Sequence, residues 1–240
     1  MNVSSVIGAL CNETADFLFP MYCISCGTSI SNRDNCVCES CFSKISPVIG
    51  GCGYCSGRIV DGRCSVCSDR MWYIDKNICV AEYSGVMKEV IKHYKFHKRK
   101  RIHKRFTRQI LEVIEHNDIV FDFVTPVPMN NRKKWERGFN QSELLAGSVA
   151  RIHGKHCRSV LKEKNFTGSQ KEMGYRERFL HILDRYEVTK PAVVKDKNVL
   201  LIDDVLTTGA TINECGRILK NAGAHKVFSV TIARADPGYT

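Results

Sequence analysis

The run Val199-Leu-Leu-Ile-Asp-Asp-Val-Leu-Thr-Thr-Gly-Ala-Thr211 constrains this chain more than any other stretch. Val199 to Ile202 are consecutive apolar residues, the pattern of a short strand buried on both faces. Two carboxylates, Asp203 and Asp204, end it. After Val205 and Leu206 comes a hydroxyl- and glycine-rich turn, Thr207 to Thr211. A helix is expected next, with Ile212, Cys215, Ile218 and Leu219 on one stripe and Ala222-Gly223 as its stop. Strand, acids, turn and helix start, in this order, build an anion site at the carboxyl end of a strand. Backbone N–H groups and hydroxyls of Thr207, Thr208, Gly209, Ala210 and Thr211 suit a phosphate, and the helix dipole favours it. Asp203 and Asp204 would repel that phosphate and suit instead a neighbouring pair of hydroxyls, as on a ribose. An ordinary α/β strand with a Thr-capped helix is the plain alternative. Each feature alone is common; the ordered set is not.

A second constraint comes from cysteine. Of 13 cysteines, ten precede residue 70, and eight of those form the pairs Cys23-x2-Cys26, Cys38-x2-Cys41, Cys52-x2-Cys55 and Cys64-x2-Cys67. Each pair places two thiolates on a tight knuckle, and two knuckles complete a tetrahedral site for Zn²⁺. Sequential pairing gives one site from Cys23, Cys26, Cys38 and Cys41 and another from Cys52, Cys55, Cys64 and Cys67. Interleaved pairing leaves the ligand set unchanged. Cys36 is the spare. A thioredoxin-like redox pair would need a single CxxC beside a βαβ unit, so two structural zinc sites are expected. Thiol usage of this kind belongs to a reducing compartment, which points to the cytoplasm. No apolar run approaches membrane-spanning length, and no basic flank precedes an apolar core at the N-terminus.

These features divide the 240 residues into an amphipathic helix within 1–20, a double zinc module over 21–70 and an α/β domain over 71–240. In the last, Ile78–Tyr83, Phe121–Pro128, Val199–Ile202 and Lys226–Ala233 read as strands, and Tyr186–Val188 as an edge strand. The formal net charge is +11, which favours an anionic partner. Its densest run is Lys92 to Arg105, containing Lys98, Arg99, Lys100 and Arg101, with Tyr94 and Phe96 interleaved. One reading is a surface that tracks single-stranded nucleic acid with aromatic stacking. The other is a solvated face whose Tyr94, Phe96, Ile102 and Phe106 enter the core. The charge density favours nucleic acid, the aromatics favour the core. Trp72 and Trp135 read as packing groups, with base stacking the second option for Trp135.

The acid–acid–T-T-G-x-T stretch resembles the phosphoribosyl-pyrophosphate (PRPP) signature of type I phosphoribosyltransferases. Thr125-Pro-Val-Pro128, followed by Arg132-x4-Arg137-Gly-Phe-Asn-Gln141, is similar to the hallmark of the ComF/GntX branch of those proteins, which also carries an N-terminal CxxC module. The resemblance covers the chain from the first knuckle to residue 234. It implies a twisted, mostly parallel sheet of the type I phosphoribosyltransferase kind with a small four-cysteine zinc module. Asp203 and Asp204 would hold the ribose 2′ and 3′ hydroxyls, and Thr207 to Thr211 the 5′-phosphate. Val127 and Pro128, with Met129, would form the pyrophosphate loop. Arg132, Lys133, Lys134 and Arg137 would supply countercharge, and Mg²⁺ would ride on PRPP's own oxygens. A hood over the site is implied near residues 160–182. There Lys164-x2-Thr167-x2-Gln170 departs from the branch's R-x-x-T-x-x-Q, and His181 stands near the place of an expected Asn.

Members of the branch are linked to natural transformation, which implies single-stranded DNA, a DNA-uptake helicase or other competence proteins as partners. The resemblance therefore implies a PRPP-binding protein of DNA uptake. A non-enzymatic DNA adaptor with a retained PRPP pocket and a nucleotide-salvage phosphoribosyltransferase are the alternatives. The zinc module and the basic run have no purpose in salvage.

Overall fold

The computed structural model describes residues 21–30, 36–64, 67, 70–96, 100–164 and 182–235. The helix expected within 1–20, Lys98, Arg99 and the body of the expected hood, including Thr167, Gln170 and His181, lie outside them.

The N-terminal segment is built from knuckles. β1 (Met21–Tyr22) pairs antiparallel with β2 (Ser29–Ile30), and β3 (Ile59–Val60) with β4 (Arg63–Cys64). Between them a single helical turn, Glu39–Phe42, starts at Cys38, whose sulfur accepts from the Cys41 N–H. Gly27, with φ +74°, takes the left-handed turn that closes the first knuckle, a conformation cheap only without a Cβ.

The remaining chain forms a five-stranded sheet in the order β5 (Lys76–Glu82), β11 (Lys226–Arg234), β10 (Asn198–Leu206), β6 (Phe123–Pro126), β7 (His156–Cys157), every pair parallel. Helices cover both faces, as parallel strands require. On one face Gly85–Phe96, Ile102–His116 and Gln141–Ile152 bury Ile91, Ile110 and Leu145 against Leu200, Ile202 and Ile232. On the other, Ala210–Asn221 buries Ile212, Cys215 and Leu219 against Val199, Leu201 and Val227. Alternate residues of β10 thus serve opposite layers, which is why its sequence is apolar without a period.

β10 runs past Ile202 to Leu206, so both acids stand within the strand rather than beyond it. The cause is pairing: β11 stays in register at Asp203↔Thr231, Val205↔Ala233 and Leu206↔Arg234. Tyr186–Val188, expected as an edge strand, is β9, and it pairs with β8 (Leu161–Glu163) as a separate antiparallel ribbon. Part of the stretch where the hood is expected, Leu161–Glu163, is thus a strand of this ribbon.

The cysteine segment covers the β5 edge. Pro47 bridges Ala81 in antiparallel sense, Val48 N–H donates to Val80, and Glu82 N–H donates to Ser46. A bare sheet edge would offer these groups to another chain. Cys23 and Cys41, with the neighbouring Cys36 and Val37, pack into the same core as Val90, Ile102 and Phe106. Arg105 locks it, donating to both carboxylate oxygens of Glu39 at 2.9 and 2.6 Å with its guanidinium 3.5 Å above the Phe42 ring.

Candidate functional site

The strand order places a crevice. From β6 the chain turns toward β7, whereas from β10 it turns toward β11, so the loops after β6 and β10 diverge at neighbouring carboxyl ends. Such switch points are where open α/β sheets bind ligands. The loop after β10 is Thr207-Thr208-Gly209, and Gly209 takes φ +76° immediately before the Ala210–Asn221 helix. Thr208 is buried, and its hydroxyl accepts from the Ala210 N–H at 3.2 Å, while Thr207 is exposed. Thr211 lies in the first helical turn, half-buried. First-turn N–H groups and left-handed glycine together make a concave, positively polarised rim that an anion can occupy.

Asp203 and Asp204 stand in β10, four and three residues before Thr207. Asp203 Oδ1 accepts from Ser142 Oγ and from the Asp204 N–H, both at 2.8 Å. Burial, then the neighbouring Asp204 charge, push its carboxyl up to about 7, against those two hydrogen bonds. Asp204 meets Lys95 Nζ at 3.2 Å. Two carboxylates held this way can accept from a vicinal pair of hydroxyls, and Lys95 is the cation such a ligand would displace or share.

The loop after β6 is held by the motif that follows it. Val127 N–H donates to Ile202, and Val127 C=O accepts from Asn140 Nδ2 at 3.1 Å. Asn140 Oδ1 also caps the Gln141–Ile152 helix by accepting from Ser142 N–H. Gly138, φ +77°, ends the Asn131–Arg137 helix, Phe139 packs on Tyr94, and Tyr94 donates to Gln141 C=O at 3.0 Å. Each residue from Gly138 to Gln141 therefore has a positional task beside Val127 and Pro128. The buried Gln141 side chain has no partner for either polar atom among the described residues.

Of the expected countercharges, Arg132 pairs with Glu136 at 3.0 Å and Lys134 with Glu143 at 2.8 Å, both on the exposed side. Arg137 lies 5.4 Å from the Phe96 ring. Lys100 is exposed with its Nζ 5.5 Å from the Phe139 ring, and Arg101 is exposed beside it. In the basic run the interleaved aromatics separate. Tyr94, Ile102 and Phe106 are buried, whereas Phe96 is 64% exposed. Trp135, read as a packing group, is instead 85% exposed, because the seven-residue helix carrying it buries nothing.

The cysteines gather sequentially. Cys23, Cys26, Cys38 and Cys41 form one cluster and Cys52, Cys55, Cys64 and Cys67 the other, all sulfurs of each within 4.8 Å of one another. Separations of 3.7 Å (Cys26–Cys38), 3.2 Å (Cys52–Cys67) and 3.4 Å (Cys55–Cys64) suit a tetrahedral ion, whose sulfurs would lie about 3.8 Å apart. Burial and the neighbouring Cys64 thiol push Cys55 up to about 12, and burial with the Cys52 thiol raises Cys67. A divalent cation among them reverses that preference, so the donor set fits a metal. Cys36 is buried outside both clusters.

Sequence reasoning missed Ser142, Lys95 and the Asn140 latch. Ser142 and Asn140 adjoin the R-G-F-N-Q motif, a signal available in the sequence; Lys95 had none beyond its place in the basic run.

Residues 140–239 match the model of the phosphoribosyl transferase domain. Competence protein F of Haemophilus influenzae is 24% identical over 229 residues, covering 90% of this chain and 98% of its own. Competence protein ComFC of Bacillus subtilis is 29% identical over 246 residues, covering 93% and 99%. DNA utilization protein YhgH of Escherichia coli K12 is 28% identical over 156 residues, covering 62% and 68%. No described helix is long and apolar enough to cross a membrane.

Proposed function

The chain belongs to the ComF family and has the type I phosphoribosyltransferase-like fold with two four-cysteine clusters, and on that premise we propose that it binds PRPP and handles single-stranded DNA during DNA uptake. The observation that supports the PRPP half is the acidic pair near the carboxyl end of β10, in the strand that leads into the left-handed Gly209 and the helix start at the switch point. Asp203 and Asp204 accept from the ribose hydroxyls, and the rim from Thr207 to Thr211 takes the 5′-phosphate. Val127 and Pro128, with Arg132 nearby, face the pyrophosphate. Mg²⁺ bound to PRPP's oxygens supplies charge neutralisation. Should transfer occur, a nucleophile attacks C1 of the ribose and the C1–O bond to pyrophosphate breaks, so positioning and charge stabilisation carry the rate.

The DNA half is supported by the relatives' names and by the surface of Phe96, Lys100, Arg101, Trp135 and Arg137. Lys95, at the same helix end, touches Asp204, so this surface borders the crevice. Single strands would bind there by phosphate contacts and stacking, without base readout. The two cysteine clusters hold structural Zn²⁺ in the 21–70 module, docked on the 71–240 domain in the cytoplasm. A DNA adaptor that binds PRPP without transferring it is the second reading, favoured by the Lys95–Asp204 pair, which would make pocket occupancy felt at the basic run.

Calorimetric titration with PRPP·Mg²⁺, and with oligonucleotides on the same sample, tests both halves. Saturable PRPP binding that weakens in Asp204→Asn supports the pocket, and equal affinity in both proteins removes it. Incubation with a panel of nucleobases then separates enzyme from adaptor.

A further inference from the structure

We propose that Trp72 is a positioning residue for the phosphate turn, holding Gly209 from behind and tying it to the first knuckle of the second cysteine cluster. The inference rests on the PRPP reading of that turn. A Cβ at Gly209 would clash with Trp72 Cη2 and sit 3.0 Å from Cζ3, so the outer edge of the indole is pressed on the glycine backbone. Glycine is thus required twice, for its φ of +76° and for the ring. The indole also stacks on Tyr54, with ring centroids 5.8 Å apart and planes 11° apart. Tyr54 lies between Cys52 and Cys55, inside the knuckle.

The flanking residues fasten the same place. Arg70 donates to Thr208 C=O at 3.4 Å, Tyr73 N–H donates to Asn213 Oδ1 at 2.7 Å, and Asn213 Nδ2 donates to Met71 C=O at 2.9 Å. The linker from the cysteine module therefore grips both the turn and the first helical turn after it. Trp72 Nε1 is buried with no partner among the described residues. A buried indole N–H left unpaired costs stability, and a phenylalanine would avoid that cost. What the larger ring adds is reach: a flat plate spanning Tyr54 and Gly209. A turn fixed before the anion arrives does not have to be ordered by it, so the plate acts on affinity through preorganisation.

The test uses the full-length, metal-loaded protein and PRPP·Mg²⁺ with ribose 5-phosphate as the simpler probe. Trp72→Ala should weaken both by about tenfold or more, as loss of preorganisation does, and Trp72→Phe, whose ring lacks the outer edge that meets Gly209, should recover only part of that loss. Oligonucleotide affinity and zinc content should stay at the wild-type level in both. In Trp135→Phe, where Trp72 is the remaining indole, PRPP should still change the emission. If the alanine variant does not fold, Tyr54→Leu, which removes the stack from the knuckle side, should still weaken ribose 5-phosphate. Wild-type protein that binds neither probe overturns the PRPP reading itself. Wild-type protein that binds, with Trp72→Ala or Tyr54→Leu binding equally well and emission indifferent to PRPP, overturns only the role of Trp72.

Discussion

Asp203→Asn should make the protein more stable at neutral and alkaline pH while weakening PRPP. The native carboxyl titrates near 7, against an ordinary 3.8, because it is removed from water beside a second carboxylate. The unfolded chain therefore gives up this proton near pH 4 and the folded chain only near pH 7. Between them the unfolded state holds fewer protons, so stability falls as pH rises through that window. The full gap sets a ceiling of roughly 4 kcal/mol. Asp203 is only half-buried, and solvent screening reduces the realised cost to about 1–3 kcal/mol. Asparagine is nearly isosteric, does not titrate, and can still accept from Ser142 Oγ and the Asp204 N–H. Urea unfolding at pH 8 should show that gain, and at pH 4 the variant and wild type should coincide. A variant no more stable than wild type at pH 8, or equally stabilised at both pH values, refutes the reasoning. A site residue kept at such a cost is what selection for ligand binding rather than stability would leave.

Metal analysis of protein purified without chelator should return about two zinc ions per chain, one for each set of four thiolates; one or none defeats the two-site assignment. Ser142→Ala should cost about 1 kcal/mol for the missing bond to Asp203. It should also raise the pH at which PRPP binding sets in, since a bond favouring the charged carboxyl is gone; an unmoved midpoint would mean that Asp203 does not govern binding. Asp204→Ala should weaken PRPP by about 1–3 kcal/mol through removal of hydroxyl acceptors, read by calorimetry. Replacing Lys98, Arg99, Lys100 and Arg101 together with Ser should weaken single-strand binding and flatten its log–log salt dependence by up to about 3, at about 0.7 for each phosphate no longer neutralised. PRPP affinity should survive that change, and an unaltered salt slope would move the DNA surface to Arg132–Arg137.

What could be read from the sequence was contiguous. The acidic pair, the Thr/Gly turn and the helix stripe follow one another along the chain, and the four cysteine pairs announce their own clusters by spacing. What could not be read was assembled across the fold. Ser142 and Lys95 reach the two carboxylates from positions 61 and 109 residues away, and no local pattern links them. The docking of the cysteine segment on the β5 edge and the press of Trp72 on Gly209 are likewise tertiary. Trp135 failed as a packing residue because a short helix on a loop has no core to face. The aromatics of the basic run were legible in principle. Tyr94 and Phe96 are two apart, and helical neighbours at that spacing point away from each other, so one buried ring implies one exposed. The charges of the run need the same sorting. Lys95 serves Asp204 and Arg105 serves Glu39, so neither is a free counterion for DNA. Net charge read from sequence therefore overstates the nucleic-acid surface, and the measured salt slope, rather than the +11 total, is the quantity that reports how many phosphates it neutralises.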